Sequence, residues 1–133
     1  MPKRTIICLL AVLTAAAAYG AWDPAAFSKL DTLEFRTIGP EEGEHWSTVW
    51  LVVIDNQVYI RLGTRAADRM ERNTTKPDVA IRIGGQQVDH VVAQPAPDMA
   101  GRVADAMGEK YWSDVFIRHF NHPLTMRLVP AGQ

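Results

Sequence analysis

The stretch that decides the fold is VYIRLGTRAADRMERNTTKPDVAIRI, residues 58–83. It begins and ends with alternating apolar and polar residues, which is typical of β-strands that bury one face. Gly63 ends the first of these runs, residues 66–72 contain strong helix formers, and the Lys76-Pro77 pair ends the helical segment. The sequence therefore predicts two strands joined by a short helix, with Thr64 as the N-cap of that helix.

The helical connection is strongly basic. Its five cations are Arg61, Arg65, Arg69, Arg72 and Lys76. A helix N-terminus with arginines beside it attracts phosphate through unpaired amide groups, the helix dipole and bidentate guanidinium contacts. The same residues also fit an exposed helix whose charged face is only solvated. Both interpretations stay open at this point.

The N-terminus is typical of a secretory signal peptide over residues 1–20. Lys3 and Arg4 precede an apolar run over residues 6–18, and small residues surround Gly20. This run is shorter than the ~20 apolar residues that a membrane-spanning helix needs. We therefore expect cleavage after Gly20 and secretion, most simply into a periplasm, with an uncleaved anchor as the alternative. The single cysteine would leave with the signal peptide, so we expect no disulfide in the mature chain.

The mature chain, residues 21–133, is predicted to form a single domain, because its length suits one hydrophobic core and is too short for two. Without Lys3 and Arg4, 12 basic residues face 15 acidic residues, a net charge of about −3. This charge disfavours nucleic acid as a partner. No later apolar run reaches membrane-spanning length, so we expect no membrane contact after the signal is removed.

The first half of the mature chain predicts a helix and two further strands. Asp23-Pro24 is expected to begin a short helix over residues 25–30, and an alternating strand follows over residues 33–37. The nearly continuous apolar run TVWLVVI, residues 48–54, predicts a strand buried on both faces, as expected inside a small barrel. Asp55-Asn56 predicts a tight hairpin into the strand that begins at residue 58.

The second half adds two strands and two helices. Gly84-Gly85 predicts another hairpin, which leads into a strand over residues 87–94. Asp98 is expected to cap a helix, residues 111–120 suggest a second short helix, and residues 124–128 alternate as a final strand. Six strands in adjacent hairpins, with short helices between some of them, predict an α+β protein built on an antiparallel six-stranded split or closed β-barrel.

The run HWSTVWLVVIDNQVYIRLGTRAADRMERNTTKPDVAIRIGG, residues 45–85, resembles the FMN-binding split barrels of the pyridoxamine-phosphate-oxidase-like superfamily. It looks most similar to the small uncharacterised members of the DUF2255 type. The shared patterns are the strand that begins at Thr48, the Val-Tyr-Ile-Arg strand, the basic helix, the Pro-x-Val strand and the Lys110-Tyr111 pair. The resemblance covers residues 35–130.

This resemblance implies a flavin nucleotide, FMN, or another phosphorylated small molecule as the ligand, and a homodimer as the assembly. By position it places four residues around the FMN phosphate: Arg61, Thr64, Arg65 and Arg69. It places three residues near the ring: Ser47, Thr48 and Trp50. The family's helix lysine is absent, and Arg69 is its nearest substitute. The implied function is a secreted flavin-binding barrel, an oxidoreductase of unknown substrate; the alternative is a ligand-binding or structural barrel without a cofactor.

Few other residues suggest chemistry. His119 and His122 are three residues apart, but no nearby carboxylate or cysteine completes a metal-binding set, so no metal site is predicted. His45 and His90 are isolated and are interpreted as hydrogen-bonded structural residues. Asn73-Thr74-Thr75 matches the acceptor pattern for N-glycosylation. The sequence identifies no catalytic residue.

Overall fold

The protein, seen in a computed structural model, forms a closed antiparallel β-barrel of six strands with short helices, which confirms the predicted fold class. The structure describes residues 22–111 and 124–132. The strands are β1 (Thr32–Gly39), β2 (Gly43–Ile54), β3 (Gln57–Leu62), β4 (Asp78–Ile83), β5 (Gln86–Pro95) and β6 (Leu124–Pro130). The helices are α1 (Pro24–Phe27), α2 (Thr64–Glu71) and α3 (Ala100–Lys110), with a 3-10 turn at Pro97–Met99.

Several predictions concern residues that the structure does not describe. The signal peptide, the helix predicted over residues 111–120 (apart from its first residue) and the pair His119 and His122 lie outside the described residues. Among the helices that are described, none is long and apolar enough to cross a membrane.

The strands follow the order β1-β2-β3-β6-β5-β4 around the barrel, and β4 closes the circle by pairing with β1. The hairpins β1–β2, β2–β3 and β4–β5 are adjacent, as predicted, but β6 lies between β3 and β5. The prediction that all six strands form adjacent hairpins is therefore wrong on this side of the barrel, where β6 is the neighbour of β3. The reason is α2, which contacts β3 and β1 and so carries the chain across the barrel end to a β4 that pairs with β1.

The two predicted tight turns have the backbone that their residues favour. Asp55 and Asn56 have φ angles of 51° and 62°, and Gly84 and Gly85 have 58° and 80°. Positive φ at both central positions matches the right-handed twist of the flanking strands, and aspartate, asparagine and glycine tolerate it best. These four residues therefore fix the pairing of β2 with β3 and of β4 with β5.

The barrel interior is the main hydrophobic core. Its fully buried members include Phe35, Leu51, Ile60 and Ile81, one from each of four strands. At the end where β1 begins, Phe27 of α1 packs into this core; at the other end, Met70 of α2 does the same, together with Ala66 and Ala67. The helices α1 and α2 thus cover opposite ends of the barrel.

A second core lies outside the barrel, where α3 packs against β2 and β3. Its buried members are Val52, Tyr59, Ala96, Val103, Met107 and Tyr111. Leu51 faces the interior and Val52 faces α3, so this part of β2 is buried on both faces, as its apolar run predicted.

Three helix boundaries differ from the predictions. Gly63, not Thr64, is the N-cap of α2, and Thr64 is the first helical residue. Asp98 does not cap α3 but lies in the 3-10 turn, which tightens the chain before α3 and leaves Met99 at the N-cap position. The helix α1 ends at Phe27, since the next residues turn into β1.

Asn73 holds the loop between α2 and β4 in place. It is 3% exposed, and its Oδ1 accepts hydrogen bonds from the Ile38 amide (2.9 Å) and the Thr75 hydroxyl (3.0 Å). Its Nδ2 donates to the Asp78 carbonyl oxygen at 3.1 Å. The asparagine of the glycosylation pattern is therefore buried and hydrogen-bonded in the folded chain, which leaves no access for a glycan.

Candidate functional site

The N-terminus of α2 has no side-chain cap among the described residues. The N-cap residue Gly63 has no side chain to cap the helix, and the first turn contains no acidic residue. Thr64 and Arg65, the first two helical residues, are exposed. The first amide groups of a helix have no intrahelical acceptor and lie at the positive end of the helix dipole. This end of α2 therefore offers hydrogen-bond donors and positive charge together.

Two of the five cations near α2 are engaged in ion pairs. Arg72 contacts Glu42 (Nη1 to Oε1, 3.0 Å) and Asp68 (Nη2 to Oδ2, 3.2 Å). Lys76 contacts Glu71 (Nζ to Oε1, 3.4 Å) and also donates to the Glu71 carbonyl oxygen. Arg72 and Lys76 are therefore already paired with carboxylates on the protein surface.

The other three cations are placed differently. Arg65 is exposed in the first turn of α2, Arg69 is half-buried in its last turn, and within residues 22–111 and 124–132 neither forms an ion pair. Arg61 lies on β3 before the helix, opposite Thr125 of β6, and its Nη1 is buried. Guanidinium groups and helix amides are hydrogen-bond donors only, and a threonine hydroxyl can also donate, so each of these groups suits a phosphate.

The three residues predicted near the ring do not share a face of β2. Thr48 is exposed and Trp50 is half-buried, both on the outer face of the strand. Ser47 is 8% exposed on the opposite face, inside the barrel, because alternate residues of a strand point to opposite sides. Trp50 stacks on Tyr111 with ring centroids 4.5 Å apart and an interplanar angle of 25°. The structure thus keeps Thr48 and Trp50 together and separates Ser47 from them.

The Lys110-Tyr111 pair ties the end of α3 to the barrel. The Lys110 Nζ donates to the carbonyl oxygens of Leu30 and Leu51. The Tyr111 hydroxyl lies 2.6 Å from the Asp31 carbonyl oxygen and 2.7 Å from that of Leu51. Because a hydroxyl has one proton, these two carbonyl groups share it. The pair was noticed in the sequence only as part of the family pattern, and its role here is to anchor α3.

Burial shifts the pKa of both anchoring residues. Burial lowers the pKa of Lys110 below its usual 10.5, and the charge of Asp31 opposes this shift. Burial raises the pKa of Tyr111 from 10.0 to about 12, with the Leu51 carbonyl contact acting against the shift and the Asp31 charge adding to it. Both shifts favour the uncharged side chain. The hydrogen bonds of the pair give it a structural role as the anchor of α3.

A cleft that the sequence did not predict opens between β1 and β4. The two strands pair only over Glu34–Arg36 and Ala80–Arg82, and beyond this point they separate. The resulting cavity has a volume of about 490 Å³. We call it the β1–β4 cleft; it is lined by Thr32, Leu33, Glu34, Thr48, Arg82, Ile83, Gly84, Gly85, Gln86 and Gln87. Thr48 lines this cleft, whereas the arginines of the predicted phosphate site do not.

Comparison with known proteins supports the fold. No protein-family model and no curated protein matches the chain. Among solved structures, HutZ, the heme storage protein of Vibrio cholerae, matches with a TM-score of 0.62 at 18% identity, over 82% of this chain and 88% of HutZ. An FAD-binding protein of Mesorhizobium loti matches with a TM-score of 0.51 at 13% identity, over 78% of this chain and 82% of that protein.

A putative pyridoxamine 5′-phosphate oxidase of Listeria innocua also matches, with a TM-score of 0.50 at 13% identity, over 80% of this chain and 89% of that protein. At these identities the likeness concerns the fold alone. The chain therefore shares its barrel fold with a heme storage protein, an FAD-binding protein and a putative pyridoxamine 5′-phosphate oxidase.

Proposed function

We propose that the protein binds a flavin nucleotide, FMN, and holds the phosphate of this cofactor at the N-terminus of α2. The observation that carries the proposal is the uncapped start of α2 with Arg65 in its first turn. Arg69 follows four residues later on the same side of the helix, and neither cation has an ion pair in the described part of the chain. A phosphate there would accept hydrogen bonds from the first amides, from the Thr64 hydroxyl and from the guanidinium groups. Arg61 would approach it from β3.

The ring of the cofactor would lie along the outer face of β2, where Thr48 is exposed and Trp50 is half-buried. Trp50 is held in position by its stack on Tyr111, so it would form one wall of this site without rearranging. A bound flavin supplies hydride or electron transfer. The protein's part would be to fix the ring and keep water away from it, and an oxidoreductase function with an unidentified substrate follows from this proposal.

Two structural neighbours support a flavin-type ligand. The M. loti neighbour is described as FAD-binding and the L. innocua neighbour as a putative pyridoxamine 5′-phosphate oxidase.

We further propose membership of the DUF2255-type group, a homodimer, and export to the periplasm after cleavage at residue 20. Light scattering of the purified protein tests the dimer, and N-terminal sequencing of the exported protein tests the cleavage.

The direct test is a titration of the purified protein with FMN, followed by thermal unfolding. If FMN binds the folded state alone, a concentration of one hundred times the dissociation constant should stabilise the protein by about 2.7 kcal/mol. The double variant Arg65→Gln, Arg69→Gln should lose most of this stabilisation. The matched control is Arg72→Gln, Lys76→Gln, which removes the same charge from cations that are already in ion pairs and should keep FMN binding.

Two results would contradict the proposed phosphate site. One is an unchanged melting temperature with FMN and with FAD. The other is an equal loss of binding in the control variant, which would mean that the overall positive charge matters and the helix end does not. Hemin is a useful third ligand, because the HutZ neighbour is described as a heme storage protein; stabilisation by hemin alone would replace flavin with heme.

The alternative function is a ligand-binding or structural barrel without a cofactor. Two observations favour it: Trp50 already has an aromatic partner in Tyr111, and Arg69 lies in the last turn of α2, at the end away from the proposed phosphate. Under this alternative, none of the three cofactors changes the melting temperature.

A further inference from the structure

Arg82 is held in a fixed orientation although its side chain is half-exposed. Its Nε donates to Gln87 Oε1 at 3.2 Å, and its guanidinium carbon lies 3.8 Å from the centre of the Trp46 ring. Both partners are themselves held: Gln87 donates to Asp89 (2.7 Å) and the Trp46 indole N–H donates to Glu44 (2.9 Å). A guanidinium stacked on an aromatic ring loses less freedom when it binds an anion.

The terminal amino groups of Arg82 have no strong partner among the carboxylates of the described residues. The nearest carboxylate is Glu34, whose Oε2 lies 4.0 Å from the Arg82 Nη1, and both side chains are about half-exposed. An exposed ion pair at this distance contributes little stability. A carboxylate of a ligand can therefore replace Glu34 on the terminal amino groups of Arg82 at a low cost in free energy. Glu34 can then accept a hydrogen bond from the same ligand.

The surrounding cleft has the size and the polar groups of a small-molecule site. Its volume of about 490 Å³ falls within the range of roughly 300–1,000 Å³ for ligand pockets. Thr32 and Thr48 bring hydroxyl groups into it. Gly85 lies in the adjoining turn with a φ of 80° and open space where a side chain would project, so the backbone of the turn is accessible.

We propose that the β1–β4 cleft binds a small carboxylate that also carries a hydroxyl or amino group, that is, a hydroxy acid or an amino acid. The carboxylate takes the fork of Arg82, the hydroxyl or ammonium group donates to Glu34, and Thr48 supplies a further hydrogen bond. The binding is non-covalent. The proposal does not rest on the phosphate site, because none of the arginines of that site lines the cleft; Thr48 is the residue that it shares with the proposed ring site.

The test is isothermal titration of the purified protein at low salt with L-malate and L-serine, and with propionate as a carboxylate without a donor group. L-malate or L-serine should bind more tightly than propionate. Arg82→Lys keeps the charge but loses the planar fork, and should weaken binding by about tenfold or more. Glu34→Gln should weaken binding of L-malate and L-serine and leave the weaker propionate binding unchanged.

Arg36→Lys is the matched control, because Arg36 also approaches the Trp46 ring (6.0 Å) and a carboxylate, Glu44 (3.9 Å), but does not line the cleft. Circular dichroism checks that each variant is folded; if Arg82→Lys is not, Thr48→Val should show the same loss of affinity. No binding of L-malate or L-serine at millimolar concentration, an equal loss in Arg36→Lys, or propionate binding as tightly as L-malate would each overturn the proposal.

Discussion

Replacing Tyr111 by phenylalanine tests the anchor between α3 and the barrel. The change removes one hydroxyl, which lies 2.6 Å from the Asp31 carbonyl oxygen and 2.7 Å from that of Leu51. Each carbonyl group keeps one other donor: Leu51 accepts from Lys110, and Asp31 accepts from the Leu51 amide at 3.3 Å. We expect the variant to be less stable at pH 8 by about 1–2 kcal/mol, the usual cost of losing one buried hydrogen bond.

The pH dependence of this cost follows from the pKa of Tyr111, which burial raises from 10.0 to about 12. An acidic group whose pKa is raised by folding contributes stability below its unfolded pKa and loses that contribution as the pH rises through the folded pKa. From the two pKa values, the wild-type protein loses about 1.4 kcal/mol through this group by pH 11. The variant has no such group, so the stability difference between the two proteins should shrink to nearly zero at pH 11.

The assay is urea unfolding of both proteins at intervals from pH 8 to pH 11, with the difference in unfolding free energy plotted against pH. Burial lowers the pKa of Lys110 in both proteins. The titration of Lys110 therefore changes both unfolding free energies alike and largely cancels in their difference. Two parallel stability curves over this range would refute the reasoning, because they would mean that the Tyr111 hydroxyl ionises as easily in the folded as in the unfolded chain.

Two further substitutions test the loops that set the barrel order. Asn73→Asp should destabilise the protein by about 2–4 kcal/mol in urea unfolding, because a buried carboxylate cannot donate to the Asp78 carbonyl oxygen and repels it. The exposed Thr74→Ala should change stability by less than about 0.5 kcal/mol, and an equal effect of the two would contradict the role of Asn73. Gly84→Ala should cost about 1 kcal/mol or more, since its φ is 58° and an added Cβ lies 3.2 Å from Leu30; an unchanged melting temperature would show that the turn adapts.

Local patterns in the sequence were enough to predict the strands and turns. Each strand alternates or is apolar throughout, and the turn residues Asp55-Asn56 and Gly84-Gly85 tolerate the positive φ that a tight hairpin needs. The position of β6 was not predictable in this way. It follows from the pairing of β4 with β1 instead of β3, which joins distant parts of the chain. The hydrogen bond between Asn73 and Ile38, 35 positions apart, is one of the contacts that hold the loop before β4 beside β1.

The candidate sites, like the position of β6, were only partly predictable from the sequence. The basic composition near α2 and the local pairs Arg72–Asp68 and Lys76–Glu71 follow from spacing in the sequence. The further contact of Arg72 with Glu42, which reaches it from the turn between β1 and β2, does not. The β1–β4 cleft was missed because its main donor, Arg82, looks like any exposed strand residue. Its orientation comes from Trp46, which approaches it from another part of the sheet, and no spacing in the sequence indicates that contact.

Thr48 belongs to both proposed sites, and this has a consequence for how they act together. It lines the β1–β4 cleft and lies on the outer face of β2, two residues from Trp50. A flavin ring placed along β2 and a carboxylate held by Arg82 would therefore be neighbours. Ligands that share a contacting residue change each other's affinity, and the effect must be equal in both directions. If both proposals hold, the cleft is placed to hold the flavin's reaction partner, and hydroxy acids and amino acids become the first substrates to consider.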